Sequence, residues 1–259
     1  MNPAGSPAGK LYVIGLGPGP TPWLTPEASE ALAAVTDLVG YFSYVGRVAP
    51  REGLTIHGSD NRVEIDRARH ALELAEAGRI VGVVSGGDPG VFAMAAAVLE
   101  ALEGGPEAWR GLDIEILPGV SAMQAAAARI GAPLGGDFCA VSLSDNLKPW
   151  SIIARRLEAA SAGDFVVALY NPASRARPRQ IHDAFALLRK LRPHSTPVAF
   201  ARAVGRPDER IVLTTLGEAD PGLADMSTLV IVGATTTRLI ARPGRNPFVL
   251  TPRSYGAGR

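Results

Sequence analysis

The stretch that decides the fold is KLYVIGLGPG, residues 10–19. Its first part is mostly apolar, which predicts a buried β-strand, and its second part is a loop rich in glycine and proline. TPEASEALAAV, residues 25–35, then predicts a helix with Thr25 as the N-cap and Pro26 in the first turn. A strand, a loop and a helix in this order form the repeating unit of α/β sheets, so we expect an α/β fold.

The same alternation continues along the chain. Further strands are predicted at DLVGYF, RIVGVVS, LDIEILP, FCAVSL, DFVVALY, TPVAFARAV, ERIVLTTL and STLVIVGA. Further helices are predicted at VEIDRARHALELAEAG, VFAMAAAVLEALEGG, VSAMQAAAARIG, PWSIIARRLEAASA and PRQIHDAFALLRKL. Residues 131–137, GAPLGGD, interrupt the periodicity and are interpreted as a linker between α/β domains at 10–135 and 136–247. The residues after Arg242 are expected to form a tail without a domain of its own.

The composition indicates an ordinary globular protein, since 47% of the 259 residues are hydrophobic and 20% are charged. The single cysteine, Cys139, excludes an internal disulfide framework and a four-cysteine metal site, and no metal is expected. The first residues lack the apolar segment of a signal peptide, and no apolar run reaches the roughly 18 residues of a membrane span. We therefore expect a cytoplasmic protein with neither a membrane nor a nucleic acid as its partner.

Charge is unevenly distributed along the chain. Residues 1–147 carry a net charge of −8, whereas residues 148–210 carry a net charge of +7. The basic segment predicts contact with an anionic ligand. A solvated helix face, or a surface that complements the acidic half, would produce the same distribution.

The loop GLGPG lies between a strand and a helix, where dinucleotide and phosphate loops occur. It matches neither motif, because the third glycine of G-x-G-x-x-G would fall at Pro20 and no Gly-Lys-Ser/Thr follows. Pro18 also removes a backbone N–H that a phosphate would need. This pattern argues against a nicotinamide-dependent oxidoreductase and leaves either a close backbone approach to a ligand or a tight structural turn.

Two further loops follow predicted strands. In SGGDPGVF, residues 85–92, Gly86 and Gly87 permit a close approach, and the Asp88 carboxylate suits ribose hydroxyls or an ammonium group. Asp88 would also serve as a simple N-cap for a helix that begins near Val91. In PGVSA, residues 118–122, Ser121 is either a cap or a ligand contact.

The fourth loop, ALYNPASRARP at residues 168–178, places Tyr170 and Asn171 at a strand end. Arg175 and Arg177 follow at alternate positions and are suited to bidentate pairing with carboxylates, although solvent-exposed arginines would show the same pattern. Because ligands of open α/β sheets bind at the carboxyl ends of strands, the four loops together predict an enzyme with a nucleoside-bearing cofactor.

The order GxGPG, GGDP, PGxSA, LYNP and a late VGA resembles the tetrapyrrole methylases, over roughly residues 10–245. The resemblance implies two α/β domains with S-adenosylmethionine in the inter-domain cleft, the tetrapyrrole in a trough over the first domain near GLGPG, and a homodimer. Carried over by motif, the implied donor contacts are Pro18, Gly86, Gly87, Asp88, Val91, Ser121, Ala122, Tyr170, Ala203 and Ala234. The implied contacts to the anionic tetrapyrrole are Gly17, Gly19, Arg47, Arg62, Arg175 and Arg177.

Within the family, SDNR at residues 59–62 and DFCAVSLSDNLKPW at 137–150 are most similar to members that methylate C17 of precorrin-3B. Those members also contract the macrocycle, which gives precorrin-4 in cobalamin biosynthesis. Asp60, Ser144 and Asp145 are the candidate catalytic groups for the proton transfers of ring contraction. Turn and cap roles would account for the same three residues.

One position departs from the family pattern. Relatives commonly carry histidine before the DFC strand, where this chain has Gly136. The departure leaves open a catalytically impaired tetrapyrrole-binding protein. A methylase acting at C11 or C20, on uroporphyrinogen or on the cobalt-containing C17 substrate also remains an alternative.

Overall fold

A computed structural model describes residues 9–60 and 63–254. The chain divides into two compact units, Met1–Ala122 and Met123–Arg259. The domain boundary expected at residues 135–136 therefore lies inside the second unit. Gly131 and Ala132 pair with Val249 and Leu250, so residues 131–137 are anchored to a late strand and do not link two domains.

The first unit contains a five-stranded parallel sheet. Its elements are β1 (Lys10–Gly15), α1 (Pro26–Ala34), β2 (Asp37–Tyr41), α2 (Phe42–Val45), β3 (Thr55–Ser59), α3 (Glu64–Glu76), β4 (Ile80–Ser85), α4 (Met94–Glu103) and β5 (Asp113–Leu117). The strand order is β3-β2-β4-β1-β5, and every neighbouring pair is parallel. Because β4, β1 and β5 are adjacent, the loops that follow them leave the same edge of the sheet.

Alternating side chains of β1 form two apolar layers. Val13 packs with buried residues of α3 and α4, whereas Ile14 packs with those of α1. This period of two is that of a strand buried on both faces. Thr25 caps α1 as predicted, since its hydroxyl accepts a hydrogen bond from Ala28 N at 3.1 Å and Pro26 is the first helical residue.

The second unit contains a mixed sheet and a small three-stranded sheet. The elements are α5 (Ala122–Ile130), β6 (Gly131–Ala132), β7 (Phe138–Ser142), α6 (Trp150–Ala162), β8 (Val166–Tyr170), α7 (Gln180–Leu191), β9 (Pro197–Arg202), β10 (Arg210–Thr215), β11 (Thr228–Val232), β12 (Arg238–Arg242) and β13 (Arg245–Leu250). The mixed sheet has the order β10-β9-β11-β8-β7. Within the mixed sheet, β7 and β8 are the parallel pair, and the other neighbours are antiparallel. The expected antiparallel pairing among the late strands is confirmed.

Two segments differ from their prediction. The helix expected to begin near Val91 begins at Met94, because Phe92 has φ +53° and Ala93 is extended, and neither conformation continues a helix. The tail expected after Arg242 is instead β13, which pairs with β12 and with β6. The Arg242 guanidinium lies 3.9 Å from the centre of the Phe248 ring in this sheet.

No helix among the described residues is long and apolar enough to cross a membrane.

Asp37, at the start of β2, is a buried carboxylate held by three side chains. One oxygen accepts hydrogen bonds from Thr36 Oγ1 and Arg79 Nε, both at 2.8 Å, and the other lies 3.0 Å from His57 Nε2. Burial alone would raise the pKa of Asp37. The hydrogen bonds with His57, Thr36 and Arg79 outweigh burial and hold this pKa below its usual value.

Asp37 should make the protein less stable in acid. Because its pKa is lower in the folded than in the unfolded chain, the stabilisation is complete well above the unfolded pKa of about 3.9 and is lost as the pH falls through the folded-state pKa. We expect the free energy of unfolding, measured by urea titration, to fall below about pH 5, and to fall less in Asp37→Asn. An equal acid loss in the variant would refute this assignment.

Candidate functional site

Two glycines join the loops that follow β1 and β4. Gly17 and Gly87 exchange backbone hydrogen bonds, with N···O distances of 3.1 and 3.0 Å. Their φ angles are +63° and +78°, which glycine adopts without the steric cost of a Cβ. The Gly17 N–H is therefore used inside the protein and Pro18 has none, which agrees with the prediction that GLGPG is not a phosphate loop.

Asp88 connects these two loops to a third, PGVSA, which follows β5. One Asp88 carboxylate oxygen accepts a hydrogen bond from Gly119 N at 3.0 Å, and the other accepts one from Gly90 N at 2.8 Å. The interpretation of Asp88 as a simple N-cap of α4 is wrong, because α4 begins at Met94 and has no side-chain cap. Asp88 fixes the positions of the surrounding loops through their backbone.

The three loops meet with no side chain between them. A Cβ at Gly119 would lie 2.4 Å from Gly87 O and 3.0 Å from Gly15 Cα. A Cβ at Gly87 would lie 3.8 Å from Ala122 N and 3.9 Å from Ser121 Cα. The predicted donor contacts Gly87, Ser121 and Ala122 are thus neighbours, and we call the loops of residues 15–19, 85–91 and 118–122 the glycine cradle.

The remaining predicted donor contacts of the first unit belong to the same cradle. Pro18 is buried beside Gly17. Gly86 faces the Tyr44 ring, where a Cβ would lie 2.6 Å from Cε1. Val91 donates a backbone hydrogen bond to the Asp88 carbonyl at 3.3 Å. The next residue, Phe92, combines its left-handed backbone with a ring that is 49% exposed, and such strained positions cluster at functional sites.

Arg47, a predicted substrate contact, forms hydrogen bonds with the backbone of the GLGPG loop. Its guanidinium donates to the carbonyls of Leu16, Gly17 and Gly19 at 2.8, 2.9 and 2.9 Å. Three N–H groups of Arg47 are therefore used in hydrogen bonds with the GLGPG loop. Arg47 has a structural role here, and its contact with substrate stays a prediction, as does that of Gly17 and Gly19.

The predicted catalytic residue Asp60 follows β3. Its carbonyl accepts a hydrogen bond from Arg67, and the hydroxyl of the preceding Ser59 accepts one from Arg67 Nε at 2.9 Å. Arg62, a predicted substrate contact in the same SDNR motif, lies outside the described residues.

In the second unit, Tyr170 and Ala203 lie at one edge of the mixed sheet, because β8 and β9 both run antiparallel to β11. The Tyr170 hydroxyl accepts a hydrogen bond from Met123 N at 3.1 Å, and Ala203 N donates to Ser227 O at 2.9 Å. Asn171 and Ala203 have φ near +50°, a strained conformation for a residue with a Cβ. One predicted donor contact, Ala203, thus coincides with strained backbone, and another, Tyr170, directly precedes it at Asn171.

Ala234 does not join them. It follows β11, whose last residue, Val232, pairs near the beginnings of β8 and β9, so Ala234 lies at the opposite edge of the sheet. The five residues of β11 span about 16 Å. Ala234 N donates to Thr237 Oγ1 at 2.8 Å, which gives this residue a local structural role. Ser227, just before β11, lies at the same edge as Ala203, and the donor contact of Ala234 stays a prediction.

Ser144 and Asp145 follow β7, which is parallel to β8, so they lie at the same edge as Tyr170. Asp145 Oδ2 accepts a hydrogen bond from Gln180 Nε2 at 2.9 Å. Lys148 Nζ donates to the Ser144 carbonyl at 2.9 Å. Burial and the neighbouring Arg156 lower the pKa of Lys148, which sequence reasoning did not single out.

The two predicted substrate arginines of the ALYNPASRARP loop differ in environment. Arg177 is buried and donates to the Asn171 carbonyl at 3.3 Å, with Met226 Sδ at 3.7 Å. Arg175 is exposed and lines a cavity of about 490 Å³ within the second unit. This volume is in the range of small-molecule sites. The other residues that line the cavity are Ala173, Ser174, Pro178, Ile181, His182, Pro221, Gly222, Ala224, Asp225, Met226 and Ser227.

Much of the basic segment is used internally. Arg192 is buried and donates to the carbonyls of Ala160, Phe165 and Gly233, and burial lowers its pKa. Arg202 forms salt bridges with Asp208 and Asp225. These two arginines are occupied by other groups of the protein, and the contact of the basic segment with an anion stays a prediction, for which Arg175 is an exposed candidate.

Gly136, where the sequence departs from the family pattern, lies beside the end of the described chain. A Cβ there would lie 3.1 Å from Thr251 Cγ2 and 3.3 Å from Pro252 O. Within residues 9–60 and 63–254, no group of three His, Cys, Asp or Glu side chains is arranged to hold a metal ion.

The sequence profile of the Tetrapyrrole (Corrin/Porphyrin) Methylases matches residues 10–220 of the chain. The chain is a member of this family. The resemblance inferred from the loop motifs is thereby confirmed, and with it the α/β fold class.

Individual relatives resemble this tetrapyrrole methylase over nearly their whole length. A precorrin-3B C(17)-methyltransferase from a Sinorhizobium species is 57% identical, over 95% of this chain and 97% of the relative. A probable cobalt-factor III C(17)-methyltransferase from Salmonella typhimurium is 42% identical, over 95% and 99%. The crystal structure of the methyltransferase CobJ is 55% identical with a TM-score of 0.89, and the match covers 94% of this chain and 100% of that one.

The close packing of the three cradle loops can be tested by substitution of Gly119. Gly119→Ala places a methyl group 2.4 Å from Gly87 O, so we expect a loss of at least about 1–3 kcal/mol of stability as the loops separate. Gly111→Ala is the matched control, because no atom lies within 4 Å of a Cβ at that position. Urea titration measures both variants, and equal unfolding midpoints would show that the loops do not pack as described.

Proposed function

We propose that this methylase transfers the methyl group of S-adenosylmethionine to C17 of precorrin-3B and contracts the macrocycle to give precorrin-4 in cobalamin biosynthesis. The observation that supports this most is the 57% identity to a precorrin-3B C(17)-methyltransferase over 95% of the chain. The first unit adds a cluster of three loops with few side chains at the carboxyl ends of adjacent parallel strands, where ligands of open α/β sheets bind.

The donor, when bound, supplies a methyl group on a positively charged sulfur. The residues that would hold it in the first unit are those of the glycine cradle, where Gly87 has no side chain and lies beside Ser121 and Ala122. In the second unit they are Tyr170, Ala203 and the newly identified Ser227. Holding the donor and the nucleophilic carbon in line for attack would supply much of the rate enhancement.

The substrate carries several carboxylates, and Arg175 is the side chain best placed to pair with one. Its guanidinium lines the 490 Å³ cavity, and its planar donors suit bidentate contacts. Asp60, Ser144 and Asp145 remain the candidate catalytic groups for the proton transfers of ring contraction. Lys148 joins them, because its Nζ donates to the Ser144 carbonyl at 2.9 Å and so lies beside two of these candidates.

The homodimer, the cytoplasmic location and the contribution of both domains to the donor site stay predictions. So do the trough over the first domain and the contacts of Ala234 and Arg62.

Donor binding and turnover are tested separately. We expect isothermal titration calorimetry to show binding of S-adenosylhomocysteine, and incubation with precorrin-3B and S-adenosylmethionine to change the absorbance as precorrin-4 forms. The control substrates are the cobalt-containing C17 substrate, the C11 and C20 substrates and uroporphyrinogen, and the first is included because one relative is a probable cobalt-factor III C(17)-methyltransferase. Absence of donor binding would overturn the proposal, and faster turnover of a control substrate would reassign the reaction.

Gly136→His tests whether this chain is an active enzyme or an impaired tetrapyrrole carrier. Among the described residues, the Cβ of the added side chain meets Thr251 and Pro252, at distances that a small shift relieves. We expect the unaltered protein to turn over precorrin-3B, and the variant to change kcat by less than about tenfold, or about 1.4 kcal/mol of barrier. A protein that binds the pigment without turnover, and becomes active only with Gly136→His, would instead be the carrier.

A further inference from the structure

Arg67, in α3, is a buried charge whose guanidinium donates to neutral groups. Its side chain is 5% exposed, and no salt bridge involves it among the described residues. Nε donates to Ser59 Oγ at 2.9 Å, one terminal nitrogen donates to the Asp60 carbonyl, and the other lies 3.4 Å from Met94 Sδ. Burial lowers the pKa of Arg67, and the nearby Glu64, Tyr44 and Asp60 offset only part of this effect.

Burial of a guanidinium at this position is energetically unfavourable compared with burial of an apolar side chain. Removing a charge from water is unfavourable unless hydrogen bonds compensate, and apolar side chains of similar volume often stabilise a core as well or better. The neighbours of Arg67 in α3, Ala68, Ala71 and Leu72, are apolar and fully buried. Stability alone therefore does not explain an arginine at this position.

The contacts of Arg67 join two parts of the proposed site. Ser59 and Asp60 begin the SDNR motif, which carries a candidate catalytic group. On the other side, Met94 is the first residue of α4, and its N–H donates to Ser85 Oγ at 3.3 Å. Ser85 ends β4 immediately before Gly86 and the glycine cradle. The guanidinium thus spans from the backbone of Asp60 to the helix that follows the cradle, entirely within the first unit.

We propose that Arg67 is a positioning residue, which fixes the backbone at Ser59 and Asp60 relative to the glycine cradle and so sets the geometry of the substrate during methyl transfer. This inference rests on the proposed function. Arg67 acts through the residues that it holds, without contact to the substrate. The planar guanidinium is suited to this role. Nε and one terminal nitrogen donate to Ser59 and Asp60, while the other terminal nitrogen faces Met94.

Arg67→Met and Arg67→Lys test the role, with Arg69→Met, an exposed arginine of the same helix, as the matched control. Methionine keeps the apolar volume against Met94 and removes both donors to the SDNR segment. We expect Arg67→Met to unfold at the same or a higher urea concentration and to bind S-adenosylhomocysteine within about twofold of the unaltered protein. We expect kcat for precorrin-3B to fall about 100-fold. Arg67→Lys should recover about tenfold of this loss, and Arg69→Met should show none.

Hydrogen–deuterium exchange gives a readout that does not need turnover. The peptide that contains Ser59 and Asp60 should exchange faster in Arg67→Met than in Arg69→Met, while the cradle peptides stay unchanged. An unchanged kcat, or unchanged exchange at Ser59 and Asp60, would overturn the inference. A parallel loss of urea stability, donor affinity and kcat would assign Arg67 a structural role only. If the unaltered protein does not methylate precorrin-3B, the proposed function fails, and the exchange result still decides what Arg67 holds in place.

Discussion

The backbone pairing of Gly17 with Gly87 is the constraint on which the rest of the first unit depends. It fastens the loop after β1 to the loop after β4, and Asp88 extends the link to Gly119 after β5. Adjacent parallel strands bring three loops to one edge, but only residues without a Cβ let them touch. Three loops that would otherwise be independent are thereby held together as one continuous backbone surface.

Arginines brace this protein by binding carbonyl oxygens. Arg47 holds the GLGPG loop, Arg67 holds the segment after β3, and Arg192 ties Gly233 to the end of α6 and the start of β8. A guanidinium offers five donors in one plane, so a single side chain can fix several backbone groups. This use of positive charge explains why counting lysines and arginines overestimates the surface available to an anionic substrate.

Sequence reasoning was strongest where periodicity and caps decide the structure, as in β1, α1 and Thr25, and where the loops carry the family motif. It placed the cradle residues together because carboxyl ends of parallel strands meet. It did not indicate the direction of β11, because that direction depends on pairing with β8 and β9, which no local pattern reveals. Lys148 and Arg67 were missed for a related reason, since burial of a charged side chain is a property of the packed chain.

The pairing of β6 with β13 has a consequence for how the polypeptide is made. The sheet of the first unit is complete once β5 has emerged from the ribosome, whereas Gly131 and Ala132 must wait for Val249 and Leu250. The Thr251 hydroxyl also binds the Pro133 carbonyl across 118 residues of chain. The first unit can therefore fold while later residues are still being synthesised, whereas β6 gains its partner strand only after Val249 and Leu250 have been made.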